Sequence, residues 1–168
     1  LHHPHHHDAA AIQARVALLT ISDTRDAETD NSGRLARDLI EKAGHRVVHY
    51  RILPDEPDRV RSQVVEWLAL EDLDAVILNG GTGVSRRDRT FEAISGLLKK
   101  QLDGFGELFR MLSYQEIGSA AMMSRAVGGI ARGKAIFSLP GSPASVELAL
   151  DRLILPELGH LIAELRKS

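Results

Sequence analysis

Residues 79–90 read Asn-Gly-Gly-Thr-Gly-Val-Ser-Arg-Arg-Asp-Arg-Thr, the stretch where this chain concentrates most potential chemistry. Gly80, Gly81 and Gly83 permit positive φ and bare backbone, so successive amides can turn inward around an anion. Thr82 adds a hydroxyl donor, and a following helix can add its positive end. Arg86, Arg87 and Arg89 bring guanidinium groups of the kind that grip phosphate through two hydrogen bonds at once. Asp88 stands among them. A carboxylate amid phosphates suits magnesium, which takes one or two carboxylates together with phosphate oxygens. The chemistry implied is the handling of a phosphate-bearing ligand.

Two common glycine-loop readings fail. A P-loop needs Lys-Ser or Lys-Thr after its last glycine, whereas this loop continues Val84-Ser85-Arg86. The dinucleotide fingerprint needs G-x-G-x-x-G after the first strand, and the first strand here ends in Ser22-Asp23-Thr24. The bare pattern Gly-Gly-Thr-Gly is weak, since a tight strand-to-helix turn explains it equally well. Asp88 and Thr90 also suit the role of helix cap. The same ambiguity holds for Asp55, because Pro54-Asp55-Glu56-Pro57-Asp58 is a standard helix entry. Pro140-Gly141-Ser142-Pro143 is a second anion seat, or a rigid turn with Ser142 as N-cap and Pro143 at the first helical position.

Apolar runs and helical stripes supply the elements that must hold these residues. Val16 to Ile21 and Ala75 to Leu78 read as strands buried on both faces, and His45 to Leu53 alternates as a third. A helix begins near Gly33, capped by Asn31 or Ser32, with Leu35, Leu39, Ile40 and Ala43 as its apolar stripe and Gly44 at its C-terminal cap. Val60, Val64, Val65 and Leu68 mark another, into which Trp67 packs. Further helices start at Thr90 and Phe105, the latter with Phe105, Leu108, Phe109 and Leu112 on one side. Met122 and Met123 read as core filler. Ala126 to Ile130 and Ala135 to Leu139 are strands split by an Arg132-Gly133 turn. The final helix carries Leu150, Leu153, Leu158, Leu161 and Leu165, and Pro156 should kink or restart it. His45 and His49 read as ordinary surface or partner-facing residues.

Alternating strands and helices imply right-handed βαβ units. The expected fold is α/β: a single three-layer αβα doubly wound domain with a mostly parallel sheet, covering residues 15–168. Ligands bind such sheets beyond the C-terminal strand ends, where Ser22-Asp23, the glycine loop and Ser142 all fall. Residues 1–14 read as a disordered His-rich leader, since five of the eight histidines lie within the first seven residues. Such a tract can bind transition metals without strict geometry, yet a leader or tag remnant is the simpler account.

Composition narrows the classes of function. The chain has 168 residues, of which 43% are hydrophobic and 26% charged, as expected of one soluble domain. With no cysteine, thiolate metal sites, disulfides and cysteine nucleophiles are excluded, and a reducing, cytoplasmic location is expected. A net charge of −2 and 4% aromatic residues give no reason to expect nucleic acid or an anionic membrane as partner. No apolar run approaches the ~20 residues that span a bilayer, and no secretory signal is visible.

With these residues in place, the chain resembles the MogA/MoaB family of molybdenum cofactor biosynthesis proteins from about Val16 to the final helix. The likeness is carried by Ser22-Asp23-Thr24, Asp30-Asn31-Ser32-Gly33, Pro54-Asp55-Glu56, residues 80–90, Gly104-Phe105-Gly106-Glu107, Ser124-Arg125 and Pro140-Gly141-Ser142-Pro143. Residues 107–118 resemble the B-type branch. The resemblance implies a molybdopterin-binding fold and transfer of AMP from magnesium-ATP to the terminal phosphate of molybdopterin, with release of pyrophosphate. It places the two catalytic, magnesium-binding aspartates on Asp55 and Asp88, and ligand contacts on Gly80, Gly81, Thr82, Gly83, Ser142, Ser22, Asp23 and Glu107. It further implies a homotrimer or homohexamer and hand-over of the product to a molybdenum-insertion protein. Because both aspartates are present, a working adenylyltransferase is expected rather than a non-catalytic molybdopterin carrier. A Rossmann-type oxidoreductase is disfavoured by the missing fingerprint.

Overall fold

The computed structural model describes residues 12–167. Six strands form one sheet in the order β2-β1-β3-β6-β5-β4. They are β1 (Arg15–Ile21), β2 (Arg46–Leu53), β3 (Ala75–Asn79), β4 (Lys100–Gln101), β5 (Val127–Ala131) and β6 (Lys134–Leu139). The four strands β2, β1, β3 and β6 run parallel, whereas β5 runs antiparallel to both its neighbours. The helices are α1 (Asn31–Lys42), α2 (Pro57–Leu68), α3 (Thr90–Ile94), α4 (Asp103–Ile117), α5 (Pro143–Ala149) and α6 (Leu155–Arg166).

The side-chain period of two in a strand separates two cores. Val16 and Leu18 of β1 and Ile77 of β3 pack with Ala36, Ile40, Phe109, Val146 and Leu158 from α1, α4, α5 and α6. Ala17, Leu19, Val76 and Leu78 point the other way, onto Val60, Val64 and Trp67 of α2 and Ile94 of α3. A sheet covered on both faces is the expected three-layer αβα arrangement, and it explains why β1 and β3 read as unbroken apolar runs. From β1 the chain moves outward to β2 and then returns across β1 to β3. The direction of strand addition therefore reverses between β1 and β3, and the loops leaving those two strands flank the crevice where such sheets bind ligands.

Arg132 (φ 49°) and Gly133 (φ 73°) form the two-residue turn between β5 and β6. Both central residues are left-handed, as the tight hairpin turn requires. Pro156 interrupts the last helix through a widened π segment, Leu150–Ile154, before α6 proceeds. Proline lacks the N–H for the carbonyl four residues back and its ring crowds that carbonyl; the wider turn relieves both.

Several readings of the sequence are corrected. Helix α1 is capped by Asp30, whose Oδ1 accepts from the Gly33 N–H at 3.0 Å, and not by Asn31 or Ser32. Leu108 is exposed rather than turned inward with Phe105 and Phe109. Met122 (81% exposed) and Met123 (47%) are not core filler but lie on the surface. His45 is buried, its Nδ1 accepting from the Ala14 N–H at 3.0 Å, whereas His49 is exposed and stacks on Trp67. Of the leader, residues 1–11 lie outside the described residues; Ala14 is fully buried and Ile12 packs against the core.

Candidate functional site

Strand β1 delivers Ser22 and Asp23 to the crevice. The Ser22 N–H continues the ladder by donating to Leu53 O at 2.9 Å. Its Oγ then accepts from the N–H groups of Thr24 (3.2 Å) and Arg25 (3.0 Å), which turns the chain over the sheet edge. Asp23 is exposed and held on two sides. Its Oδ1 accepts from the Asp55 N–H at 3.1 Å, and Arg87 grips both oxygens, Nη2 to Oδ1 at 2.8 Å and Nε to Oδ2 at 3.0 Å. The Arg87 hydrogen bonds, then the Asp55 N–H, hold the Asp23 carboxyl below its ordinary pKa.

Strand β2 ends at Leu53 and sets Asp55 just ahead of α2. The helix is capped at Glu56 with no side-chain bond, so Asp55 does not serve as the cap that its setting suggested. Asp55 is only 5% exposed. Its Oδ2 accepts from the Arg89 N–H at 3.3 Å, and its Oδ1 is buried without a partner. Burial raises its pKa, the Arg89 N–H opposes that, and the charges of Asp88 and Asp23 add to the rise. A buried carboxylate with one oxygen unpartnered and two other carboxylates nearby is a place that suits a cation.

The loop after β3 wraps against this group. Gly81 has φ +70°, and a Cβ there would strike Thr90 Oγ1 and lie 2.7 Å from Asp55 Oδ2. At Gly83 a Cβ would come within 2.8 Å of Asp88 Oδ2, so both aspartates press on glycines. Thr90 is not a cap either: its N–H donates to Gly81 O (3.1 Å) and its hydroxyl to Gly80 O (3.0 Å), closing the loop on itself. Thr82 is buried. Asp88 is half-buried, and its Oδ2 accepts from the Ser85 N–H at 3.2 Å instead of capping α3, whose cap residue is Arg89. Two of the three arginines are engaged with neighbours: Arg87 with Asp23, and Arg89 through Nη2 with Asp55 O at 3.2 Å.

Strand β6 brings the fourth loop. A Cβ on Gly141 would lie 3.2 Å from Gly80 Cα, so these two loops touch. Gly141 O accepts from Ser32 Oγ (2.6 Å) and Arg25 Nη2 (3.0 Å). Ser142 Oγ accepts from the Ser145 N–H at 3.2 Å, the capping role foreseen for it, with Pro143 opening α5. Ser22, Asp23, Asp55, residues 80–90 and Ser142 are thus gathered at one rim. Glu107 stands apart. It is exposed on α4 and lines a cavity of about 110 Å³ with Gln101, Asp103 and Arg110.

Sequence reasoning gave no role to Arg125, which donates from Nε to Gly83 O at 2.9 Å, from Nη2 to Asp88 O, and from its main-chain N–H to Thr82 O at 2.9 Å. Its partners are backbone carbonyls some forty positions away, and nothing in residue type or spacing displays such acceptors. Among the described residues, no three His, Asp or Glu side chains converge as a metal cage. Two carboxylates with one orphaned buried oxygen instead fit an ion that takes its remaining ligands from phosphate and water, which is how magnesium is held.

The chain is similar to proteins already known. The family model described as "Probable molybdopterin binding domain" matches residues 17–160. Molybdenum cofactor biosynthesis protein B of Bacillus cereus is 50% identical over 164 residues, 97% of this chain and 97% of that protein. The Bacillus subtilis protein of the same name is also 50% identical over 164 residues, covering 97% and 96% of the two chains. A crystal structure of molybdenum cofactor biosynthesis protein B superposes with a TM-score of 0.91 at 51% identity, over 94% of this chain and 98% of that one. The tungsten cofactor synthesizing protein MoaB from Pyrococcus furiosus superposes at 0.82 with 37% identity, over 92% and 98%.

Proposed function

The chain belongs to the MogA/MoaB family of molybdopterin-binding proteins, and from that premise we propose that it acts in molybdenum cofactor biosynthesis as a molybdopterin adenylyltransferase. In this reading the terminal phosphate of molybdopterin attacks the α-phosphorus of ATP, a P–O bond forms to the AMP unit, and pyrophosphate leaves. No protein nucleophile is required, so catalysis is alignment and charge neutralisation. The observation that carries the reading is the unpartnered, buried Oδ1 of Asp55, set beside Asp88 at a glycine loop.

Magnesium, when held by Asp55 and Asp88, supplies positive charge against the phosphate oxygens. The chain's own residues do the rest. Gly80, Gly81 and Gly83 let Ile21 O, Thr90 with Asp55, and Asp88 close directly on the loop backbone that would face phosphate, with Thr82 and Ser142 as neighbouring hydroxyls. Ser22 turns the β1 loop, and Asp23 ties it to Asp55. Glu107 lies apart from the aspartates, on the small cavity beside the start of β5, and its contact with the ligand rests on the family resemblance alone. The exposed stripe Leu108, Met111, Tyr114 and Ile117, continued by Met122 and Met123, supports assembly into a homotrimer or homohexamer. Among the described residues, no helix is long and apolar enough to cross a membrane.

Incubation of the purified protein with molybdopterin and magnesium-ATP tests the reading. Adenylylated molybdopterin and pyrophosphate are expected as products. Molybdopterin bound without either product would make the chain a non-catalytic carrier of the same pathway.

A further inference from the structure

Loop 83–88 carries Asp88 and is tied to the loop leaving β1 through Arg87, whose guanidinium grips Asp23. The Asp88 N–H donates to Ser85 O and the Ser85 N–H to Asp88 Oδ2, both within the loop itself. Val84, Ser85 and Arg86 at its tip are exposed. The attachment that reaches the main chain at both ends of the loop comes from Arg125, in the segment leading into β5. One guanidinium bonds Gly83 O at the start of the loop and Asp88 O at its end. The guanidinium is itself held by the Glu92 carboxylate on α3 and lies 5.7 Å from the centre of the Phe91 ring. Two carbonyls five positions apart are therefore spanned by a single planar group whose donors have fixed angles.

We infer that Arg125 is the positioning residue for Asp88: by spanning Gly83 O and Asp88 O it sets the loop width at which the Asp88 carboxylate faces Asp55 across a phosphate-bound divalent cation. The inference rests on the reading of Asp55 and Asp88 as magnesium ligands. Arg125 touches neither substrate nor metal in this arrangement. Its side chain is 30% exposed and its hydrogen bonds go to the loop and to α3, so its removal loosens the loop more than the core.

The test uses the full chain, with manganese as a spectroscopic stand-in for magnesium and α,β-methylene-ATP as the nucleotide. Arg125→Ala is expected to weaken manganese binding in the presence of the analogue by about tenfold or more, the usual loss when a partner behind a metal ligand is removed. In turnover assays its magnesium midpoint shifts upward by a similar factor, while kcat at saturating magnesium approaches that of the parent. Arg125→Lys falls between the two, because an ammonium is a point charge that does not span both carbonyls. If Arg125→Ala fails to fold, Arg125→Lys and Glu92→Gln, which loosens the guanidinium from its far side, give the same readout. Folded variants with parental manganese affinity and magnesium midpoint would overturn the inference. A parent chain that binds manganese with the analogue but makes no adenylylated product defeats the transferase reading alone, since the Arg125 effect is still measured by binding. Absence of manganese binding in the parent defeats both.

Discussion

The main-chain N–H of Asp55 donates to Asp23 Oδ1 at 3.1 Å, so the loop leaving β1 holds the loop leaving β2 at the point where the buried carboxylate begins. The same Asp23 carboxylate takes two bonds from Arg87, which belongs to the loop leaving β3. One side chain thereby ties three strand ends across the place where the sheet reverses direction. That makes Asp23 a positioning group in addition to a lining one.

Substitution at Asp23 separates the two ties. Asp23→Asn retains an oxygen acceptor for the Asp55 N–H but loses the charge that holds Arg87. Asp23→Ala loses both. Adenylyl transfer should fall roughly 10- to 100-fold in the alanine variant, the scale set by small misplacements of catalytic groups, and less in the asparagine variant. Parental kcat/KM in Asp23→Ala would remove the residue from the mechanism.

Asp55 is predicted to oppose stability while it serves the site. Burial first, and then the neighbouring Asp88 and Asp23 charges, raise its pKa in the folded state. The native protein therefore holds this proton more tightly than the unfolded chain does. Whatever stability the protonated group contributes is complete below the unfolded pKa of about 3.8 and is lost as pH rises through the raised folded value. At neutral pH the ionised group is a cost, and Asp55→Asn should raise stability by about 1 kcal/mol, or Tm by roughly 2–4 °C. The gain should shrink as the melts are repeated towards pH 4, and adenylyl transfer should be lost throughout. Asp88→Ala should likewise abolish transfer while sparing molybdopterin binding. A destabilised Asp55→Asn protein would show that the Oδ1 atom is not the strained group described here.

The placing of the glycine loop and the Pro140-to-Pro143 turn at one rim was legible because each follows a short apolar strand, and β1 and β3 are marked by local residue type. What escaped was direction and partnership. Leu108, Met122 and Met123 have core-like side chains, but which side of α4 faces the sheet depends on where Phe105 and Phe109 dock, and Met122 and Met123 lie in the 3-10 segment Gly118–Met123 beyond its end. The role of Asp30 as cap was hidden because Asn31 and Ser32 are equally good cap residues; Tyr50, which donates to Asp30 Oδ2 from β2, favours Asp30, whereas the Ser32 hydroxyl is turned to Gly141 O. The idle capping potential of Asp55 and Asp88 was unreadable for a related reason. Asp55 turns to the Arg89 N–H on another loop and Asp88 to the Ser85 N–H in its own, and neither backbone donor is marked by residue type.

His45 gives a second pH dependence, of opposite sense. Its Nδ1 accepts the Ala14 N–H in a buried setting, and burial lowers its pKa below the ordinary 6.5. The unfolded chain then takes up a proton that the native protein resists. The stability held by neutral His45 is complete above about pH 6.5 and declines as pH falls through the lowered folded value, at no more than about 1.4 kcal/mol per pH unit. Urea denaturation at pH 7.5 and 5.5 should show the loss. In His45→Gln the difference between the two pH values should narrow; an unchanged difference would assign the loss to other groups.

The exposed stripe on α4 allows assembly to be tested apart from folding. Leu108 (47% exposed), Met111 (50%), Tyr114 (62%) and Ile117 (61%) recur every third residue along one side of the helix, and Met122 extends the patch. Because these side chains are already in contact with water in the isolated subunit, replacing them takes little from its core. A charge placed among them in an assembled trimer or hexamer would instead be buried without a partner, at several kcal/mol. Met111→Glu with Ile117→Lys should therefore shift the mass measured by light scattering towards the monomer, while Tm at low protein concentration stays within a few degrees of the parent. A double variant of unchanged mass would place the subunit contact on another face.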